Sequence, residues 1–131
     1  MKPKSKTEAR RELAAVFLRD ASYGGLSLRS RIDAAFDAVY VLALVLIGEE
    51  AADGYAHPDP EVLWVVKAQL GESDADLSLA VRYIEHRYDY EFWIELGSEA
   101  FEAMLSLALR LQSYDELARQ RDTSPKPGEG P

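Results

Sequence analysis

A chain of 131 residues with a net charge of −8 and no cysteine is long enough to bury one hydrophobic core without disulfides, and it excludes thiolate chemistry. With only two histidines, His57 and His86, we predict no metal site and no other cofactor. Residues 32–131 carry twenty Asp/Glu against seven Lys/Arg and should repel a phosphate backbone, so nucleic acid would be contacted only through a partner or the basic arm of residues 1–31.

The first predicted helix begins near Ser5 or Thr7 and ends at about Asp20, after a flexible basic N-terminus over residues 1–5. Its apolar residues recur at i, i+3 and i+4 spacing, which predicts one buried stripe. The stripe consists of Leu13, Val16 and Phe17. Because no apolar segment follows the basic N-terminus, we predict no signal peptide and a cytoplasmic location.

The second predicted helix, Leu28 to Gly48, is the element around which the fold is expected to form. Ser27 is its predicted N-cap. From Ala38 to Ile47 the phenol of Tyr40 is the only polar side-chain group, so the helix should be covered on most sides. This run is about half of the roughly 20 apolar residues that a bilayer span requires, and we therefore expect no contact with a membrane. The predicted buried face comprises Ile32, Phe36, Val39, Ala43, Leu46 and Ile47.

The remaining elements are a loop from Glu49 to Pro60 and three further helices. The third helix, Asp59 to Leu70, has a capping aspartate followed by proline, and Gly71 ends it. The fourth opens at Ser73 and continues to Trp93 or Leu96, and the fifth runs from Ser98 to about Arg119. We predict an all-α, single-domain bundle of about five mostly antiparallel helices over residues 6–119, followed by a disordered tail over residues 120–131.

The fourth helix has an apolar face and, opposite it, a face whose side chains are unusual for a solvent-exposed helix. Its predicted inner stripe is Leu77, Val81, Ile84 and Tyr88. The opposite face is rich in aromatic residues and arginine, which are enriched in interface cores rather than on solvated helix faces. The predicted interface residues are Leu79, Arg82, Tyr83, His86, Tyr90 and Trp93. We therefore predict that this face binds a second protomer or a partner protein; the alternative is that neighbouring helices of the same chain cover it.

A catalytic interpretation of the same helix remains open. Arg82, His86 and Asp89 are neighbours at helical spacing, so Asp89 would orient the imidazole of His86 while Arg82 holds a phosphate. The alternative is a surface salt-bridge ladder. Asp33 and Asp37 would need a third carboxylate to hold a cation, and pairing with Arg29 is the simpler interpretation.

Three segments resemble the HEPN superfamily of small helical bundles, in particular its uncharacterised bacterial branch. They are the long second helix (RIDAAFDAVYVLALVLIG), the segment Gly54 to Pro58 (GYAHP) and the segment Arg82 to Tyr90 (RYIEHRYDY). The resemblance covers roughly Thr7 to Ala118. It implies a helical bundle that pairs through its later helices, and relatives often belong to bacterial toxin–antitoxin or defence modules.

The family's RNA-cleaving members carry an arginine followed, after four to six intervening residues, by a histidine. Here only three residues separate Arg82 from His86, and no histidine follows Arg87. The resemblance therefore implies a non-catalytic protein-interaction module, either a homodimer or one component of a toxin–antitoxin-type pair. The alternative is a metal-independent RNase that uses Arg82, His86 and Arg87.

Overall fold

The computed structural model describes residues 5–71 and 75–123, which form helices without any strand in those two segments. The helices are α1 (Lys6–Ser22), α2 (Leu28–Ile47), α3 (Glu49–Ala52), α4 (Pro60–Leu70), α5 (Ala75–His86), α6 (Tyr90–Glu95) and α7 (Ser98–Thr123). The predicted all-α class is confirmed. The number of helices exceeds the prediction because α3 forms within the loop and because the predicted fourth helix is divided into α5 and α6.

Capping side chains start the helices where the sequence predicts them. The Ser27 hydroxyl accepts a hydrogen bond from the Ser30 amide at 3.1 Å, and the Asp59 carboxylate accepts one from the Glu61 amide at 2.9 Å. Gly71 ends α4 with a φ of 65°, a left-handed conformation that favours glycine. The predicted cap Ser73 lies outside the described residues, as do residues 124–131 of the predicted tail.

Helix α2 forms the centre of the core, as its composition predicts. Nearly every residue from Ile32 to Val45 is buried, with Asp33, Asp37 and Val41 half-buried. Helices α1, α4, α5 and α7 all pack against it. The core beyond α2 is built from Ala14, Ala21, Ala52, Val62, Leu63, Val66, Leu77, Ala80, Val81, Tyr83, Phe92, Phe101, Met104, Leu107, Ala108 and Leu111.

Helix α1 packs mainly through its small residues, and of the predicted apolar stripe only Phe17 is half-buried against the core. Ala14 and Ala21 are fully buried, whereas Leu13 and Val16 are 43% and 39% exposed. Alanine allows the backbones of α1 and α2 to approach closely, and Arg31 Nε donates to the Ala21 carbonyl at 2.8 Å. The prediction that Leu13 and Val16 point inward is therefore wrong.

The two longest helices, α2 and α7, lie side by side in the same direction. The N-terminal end of α1 meets the residues after α2, because Lys6 Nζ lies 3.0 Å from the Asp53 carboxylate, so α1 and α2 are antiparallel. Arg11 of α1 meets Asp115 in the second half of α7, so these helices are also antiparallel. Consistently, Arg31 near the start of α2 lies 4.5 Å from the ring of Phe101 near the start of α7. The prediction of mostly antiparallel neighbours does not hold for this central pair.

Candidate protein-interaction surface

The segment that carries the predicted interface turns a corner between α5 and α6. Helix α5 ends at His86, and the Asp89 amide donates to the His86 carbonyl at 2.8 Å. Asp89 is extended and occupies the N-cap position of α6, a position that aspartate prefers to a helix interior. The prediction of one continuous helix from Ser73 to Trp93 or Leu96 is therefore wrong, because the helix is interrupted at residues 87–89.

The corner brings α6 back onto α5 and completes an aromatic cluster in the core. The ring of Tyr83 stacks on Phe36 at 4.5 Å and meets the edges of Trp93 at 5.6 Å and Phe92 at 6.2 Å. The indole nitrogen of Trp93 donates to the Arg87 carbonyl, which fastens α6 to the turn. These contacts explain the break, because a straight helix would carry Phe92 and Trp93 away from Tyr83.

Two of the predicted interface residues consequently pack against other parts of the same chain. Tyr83 is fully buried, so its assignment to the outer face is wrong, and Trp93 is half-buried as a cover over it. Tyr88, predicted to point inward, is instead 87% exposed. The face of α5 that packs in the core also includes Ala80, which is fully buried. The predicted inner stripe omitted Ala80 because it was chosen from the larger apolar residues.

The remaining predicted interface residues line a shallow trough on the outside of the corner. One part, of about 780 Å³, is lined by Arg82, His86, Tyr88, Asp89, Tyr90, Glu91, Phe92 and Glu95. The other part, of about 610 Å³, is lined by Leu79, Arg82, Phe92, Glu95, Leu96, Gly97, Ser98, Glu99, Ala100 and Ala103. Because Arg82, Phe92 and Glu95 belong to both, the two parts form one continuous surface, which we call the corner trough.

Beside the corner trough, α6 presents apolar groups to solvent. Tyr90 is 80% exposed and Ile94, one turn later on the same helix face, is 66% exposed. Large apolar side chains that cluster at such exposure mark interaction surfaces more often than single exposed residues do. Ile94 was not among the predicted interface residues, because its position beside Tyr90 depends on α6 being a separate helix.

His86 and Asp89 form the hydrogen bond that the catalytic interpretation requires. His86 Nδ1 lies 3.0 Å from Asp89 Oδ2, and His86 Nε2 lies 3.8 Å from Glu85 Oε2. Arg82 is exposed in the same trough, with its guanidinium 5.7 Å from the Phe92 ring. All of these ionisable side chains are exposed to solvent. The arrangement therefore lacks the closed, water-excluding pocket in which a catalytic base usually acts.

Arg87, the third residue of the predicted RNase set, faces α2. Its guanidinium lies over Phe36 at 5.6 Å and over Tyr88 at 5.2 Å. It is also the basic group whose charge acts on Asp33 and Asp37. The structure therefore brings together Arg82, His86 and Asp89, but it does not place Arg87 with them.

Asp33 and Asp37 are half-buried on α2 and differ from ordinary solvated carboxylates. Burial raises the pKa of Asp33, although Arg87 and Arg29 oppose the rise. Arg29 stacks on Trp93 at 4.5 Å and so helps to cover α6. Within residues 5–71 and 75–123 no group of three or more His, Cys, Asp or Glu side chains is arranged to hold a metal ion.

We expect the stability of the protein to fall as pH rises through the titration of Asp37. Burial raises the pKa of this carboxyl from 3.8 to about 6, with Arg87 opposing the rise and Asp33 adding to it. The folded protein then retains a proton that the unfolded chain releases, so the stabilisation is complete below pH ~4 and is lost by pH ~6. Allowing for solvent screening of a partly exposed group, Asp37→Asn should raise the free energy of unfolding at pH 7 by about 1 kcal/mol.

Urea denaturation at a series of pH values measures this effect. The exposed Asp20→Asn is the matched control, and it should keep the wild-type slope between pH 4 and pH 6. Identical pH profiles for the wild type and Asp37→Asn would contradict the prediction.

The loop before α4 is held by Tyr40. Its hydroxyl donates to the His57 carbonyl at 3.1 Å and accepts from the Asp59 amide at 3.1 Å. His57 therefore contributes its backbone to this anchor, while its side chain is exposed. The single polar group in the apolar part of α2 thus positions the loop.

No helix in the described part of the chain combines the length and apolarity that crossing a membrane would require. No protein-family model, curated protein or solved structure matches this chain.

Proposed function

We propose that this protein is a non-catalytic, HEPN-like protein-interaction module that binds its partner through the corner trough and the adjoining face of α6. The partner is either a second copy of the chain or another protein, as in a toxin–antitoxin-type pair. The observation that supports the proposal is the exposure of Tyr88, Tyr90 and Ile94 around one corner that is rigidly backed by the aromatic cluster.

The surroundings of His86 favour binding over RNA cleavage. Asp89, Glu91 and Glu95 line the same trough and repel the phosphates that Arg82 would have to hold. Arg87, the second positive charge that the RNase alternative needs, is not among the residues that line the trough, and its guanidinium lies over the rings of Phe36 and Tyr88. Labelled RNA incubated in EDTA should therefore remain intact with both the wild type and His86→Ala; cleavage that disappears in the variant would support the enzyme.

A variant of α6 tests the proposed interface. Tyr90→Ser/Ile94→Ser should leave the fold intact, because both side chains are exposed, but it should abolish complex formation. Trp64→Ser on α4 is the matched control, because Trp64 is also exposed but lies on another helix. We would measure self-association by sedimentation equilibrium and partner capture by affinity purification from the native host.

The expected result is a complex with the wild type and the Trp64 variant but none with the α6 variant. Complex formation that is unaffected by the α6 substitutions, or absent from the wild type, would overturn the proposal. Thermal unfolding monitored by circular dichroism verifies that the variants are folded.

A further inference from the structure

The charge of the corner trough restricts what it can bind. Four carboxylates, those of Asp89, Glu91, Glu95 and Glu99, line it together with the guanidinium of Arg82. The guanidinium of Arg87 adds one positive charge near Tyr88, so the carboxylates still outnumber the arginines two to one. Glu91 and Glu95 are exposed and lie one turn apart on α6, so their charges project from the same side of the helix. An anionic ligand is disfavoured at such a surface, and a cationic ligand is favoured.

The exposed aromatic rings favour one kind of cation in particular, the guanidinium group of arginine. Arg87 already lies 5.2 Å from the centre of the Tyr88 ring, and Arg82 lies 5.7 Å from that of Phe92. Arginine above an aromatic face is attracted by the charge distribution of the ring, and its planar group also pairs well with carboxylates. Tyr90 offers a further exposed ring beside Glu91.

A second copy of this chain is a poor occupant of the trough. A two-fold interface places the same surface of both copies in contact, so the acidic trough of one copy would face the acidic trough of the other. Three of the basic side chains that α1 of another copy could offer already form ion pairs within their own chain. Lys6 and Arg10 pair with Asp53, and Arg11 pairs with Asp115.

We propose that the corner trough binds an arginine-bearing segment of a different protein, whose guanidinium groups stack on Tyr88 and Tyr90 and pair with Glu91 and Glu95. This inference rests on the proposed function and specifies the chemistry of the partner. It excludes nucleic acid and the face-to-face homodimer as occupants of this surface.

A labelled synthetic peptide in which arginine alternates with leucine is the probe, and fluorescence anisotropy is the measurement. The arginine peptide should bind the full-length protein, while the same peptide with glutamine in place of arginine should not. The affinity should fall by about tenfold or more in Glu91→Gln/Glu95→Gln. It should also fall when the salt concentration rises from about 0.05 M to about 0.5 M.

Glu8→Gln/Glu50→Gln is the matched control, because both glutamates are exposed but belong to α1 and α3. It should change the affinity by less than about twofold, since these charges lie outside the trough. Equal binding of the glutamine peptide, no binding of the arginine peptide, or equal losses in the two glutamate variants would each overturn the inference.

The failure of this inference is distinguishable from the failure of the proposed function. If Tyr90→Ser/Ile94→Ser abolishes complex formation but the arginine peptide does not bind, the trough is an interface with a partner of other chemistry. If complex formation is independent of α6, the proposed function fails as well.

Discussion

Replacing Tyr83 by alanine is expected to lower the free energy of unfolding by about 4 kcal/mol. The side chain is fully buried and is surrounded by Phe36, Phe92 and Trp93. Its removal leaves a cavity at the point where α2, α5 and α6 meet, and three rings lose a partner at once. Urea denaturation monitored by circular dichroism measures the loss.

Tyr83→Phe tests the hydroxyl separately from the ring, because the Tyr83 hydroxyl is buried without a hydrogen-bond partner in the described residues. Removing an unsatisfied buried hydroxyl should raise the free energy of unfolding by about 1 kcal/mol, since its desolvation cost disappears while the ring contacts remain. A large loss in Tyr83→Phe would contradict this description of the cluster. Together the two variants separate the contribution of the ring from that of its oxygen.

The second large effect is expected at the ion pair that fastens α1 to α7. Arg11 Nε and Nη2 each lie 2.9 Å from an oxygen of Asp115, and Asp115 is only 4% exposed. Arg11→Leu leaves this carboxylate buried with Arg119, whose Nε is 3.6 Å away. Removing one member of a buried pair typically costs about 3 kcal/mol. We expect a loss of that size, because the half-exposed Arg119 does not replace the two hydrogen bonds of Arg11.

The double variant Arg11→Leu/Asp115→Leu tests whether the cost comes from the unpaired charge. Replacing both members by apolar side chains of similar size should restore most of the wild-type stability, because no buried charge is then left alone. If the double variant is as unstable as the sum of the single variants, the two side chains act independently, and the unpaired charge is not the source of the cost. A double-mutant cycle at constant pH gives the coupling energy directly.

The ends of a helix could be predicted from the sequence where a local capping residue determines them. Ser27, Asp59 and Gly71 act through hydrogen bonds or backbone conformation within a few residues, so their effects could be predicted without the tertiary structure. Helix α2 was predicted for a related reason, because a run without polar side chains has to be buried whichever neighbours cover it.

Apolar size predicted the packed face of α5 in part, since Leu77 and Val81 are buried and Ile84 is half-buried, but it did not predict the packed face of α1. Ala14, Ala21 and Ala80 mark these faces because small residues allow close approach, but in the sequence they resemble ordinary helix-forming residues. The corner at residues 87–89 escaped prediction because the contacts that favour it, those of Tyr83 with Phe92 and Trp93, exist only after α6 has folded back. For the candidate site, Arg82, His86 and Tyr90 were correctly expected on an exposed surface, whereas Tyr83 was not.

The direction of α7 has a consequence for how the chain assembles during its synthesis. Helices α1 and α2 are consecutive and can associate as soon as both have left the ribosome. Helix α7, which α2 requires on its other side, emerges after all the other described helices. Contacts such as that between Arg31 and Phe101 join distant parts of the chain and close late. Until α7 arrives, the most apolar helix of the protein is incompletely covered, so nascent chains that stop before Ser98 should be the species that aggregate.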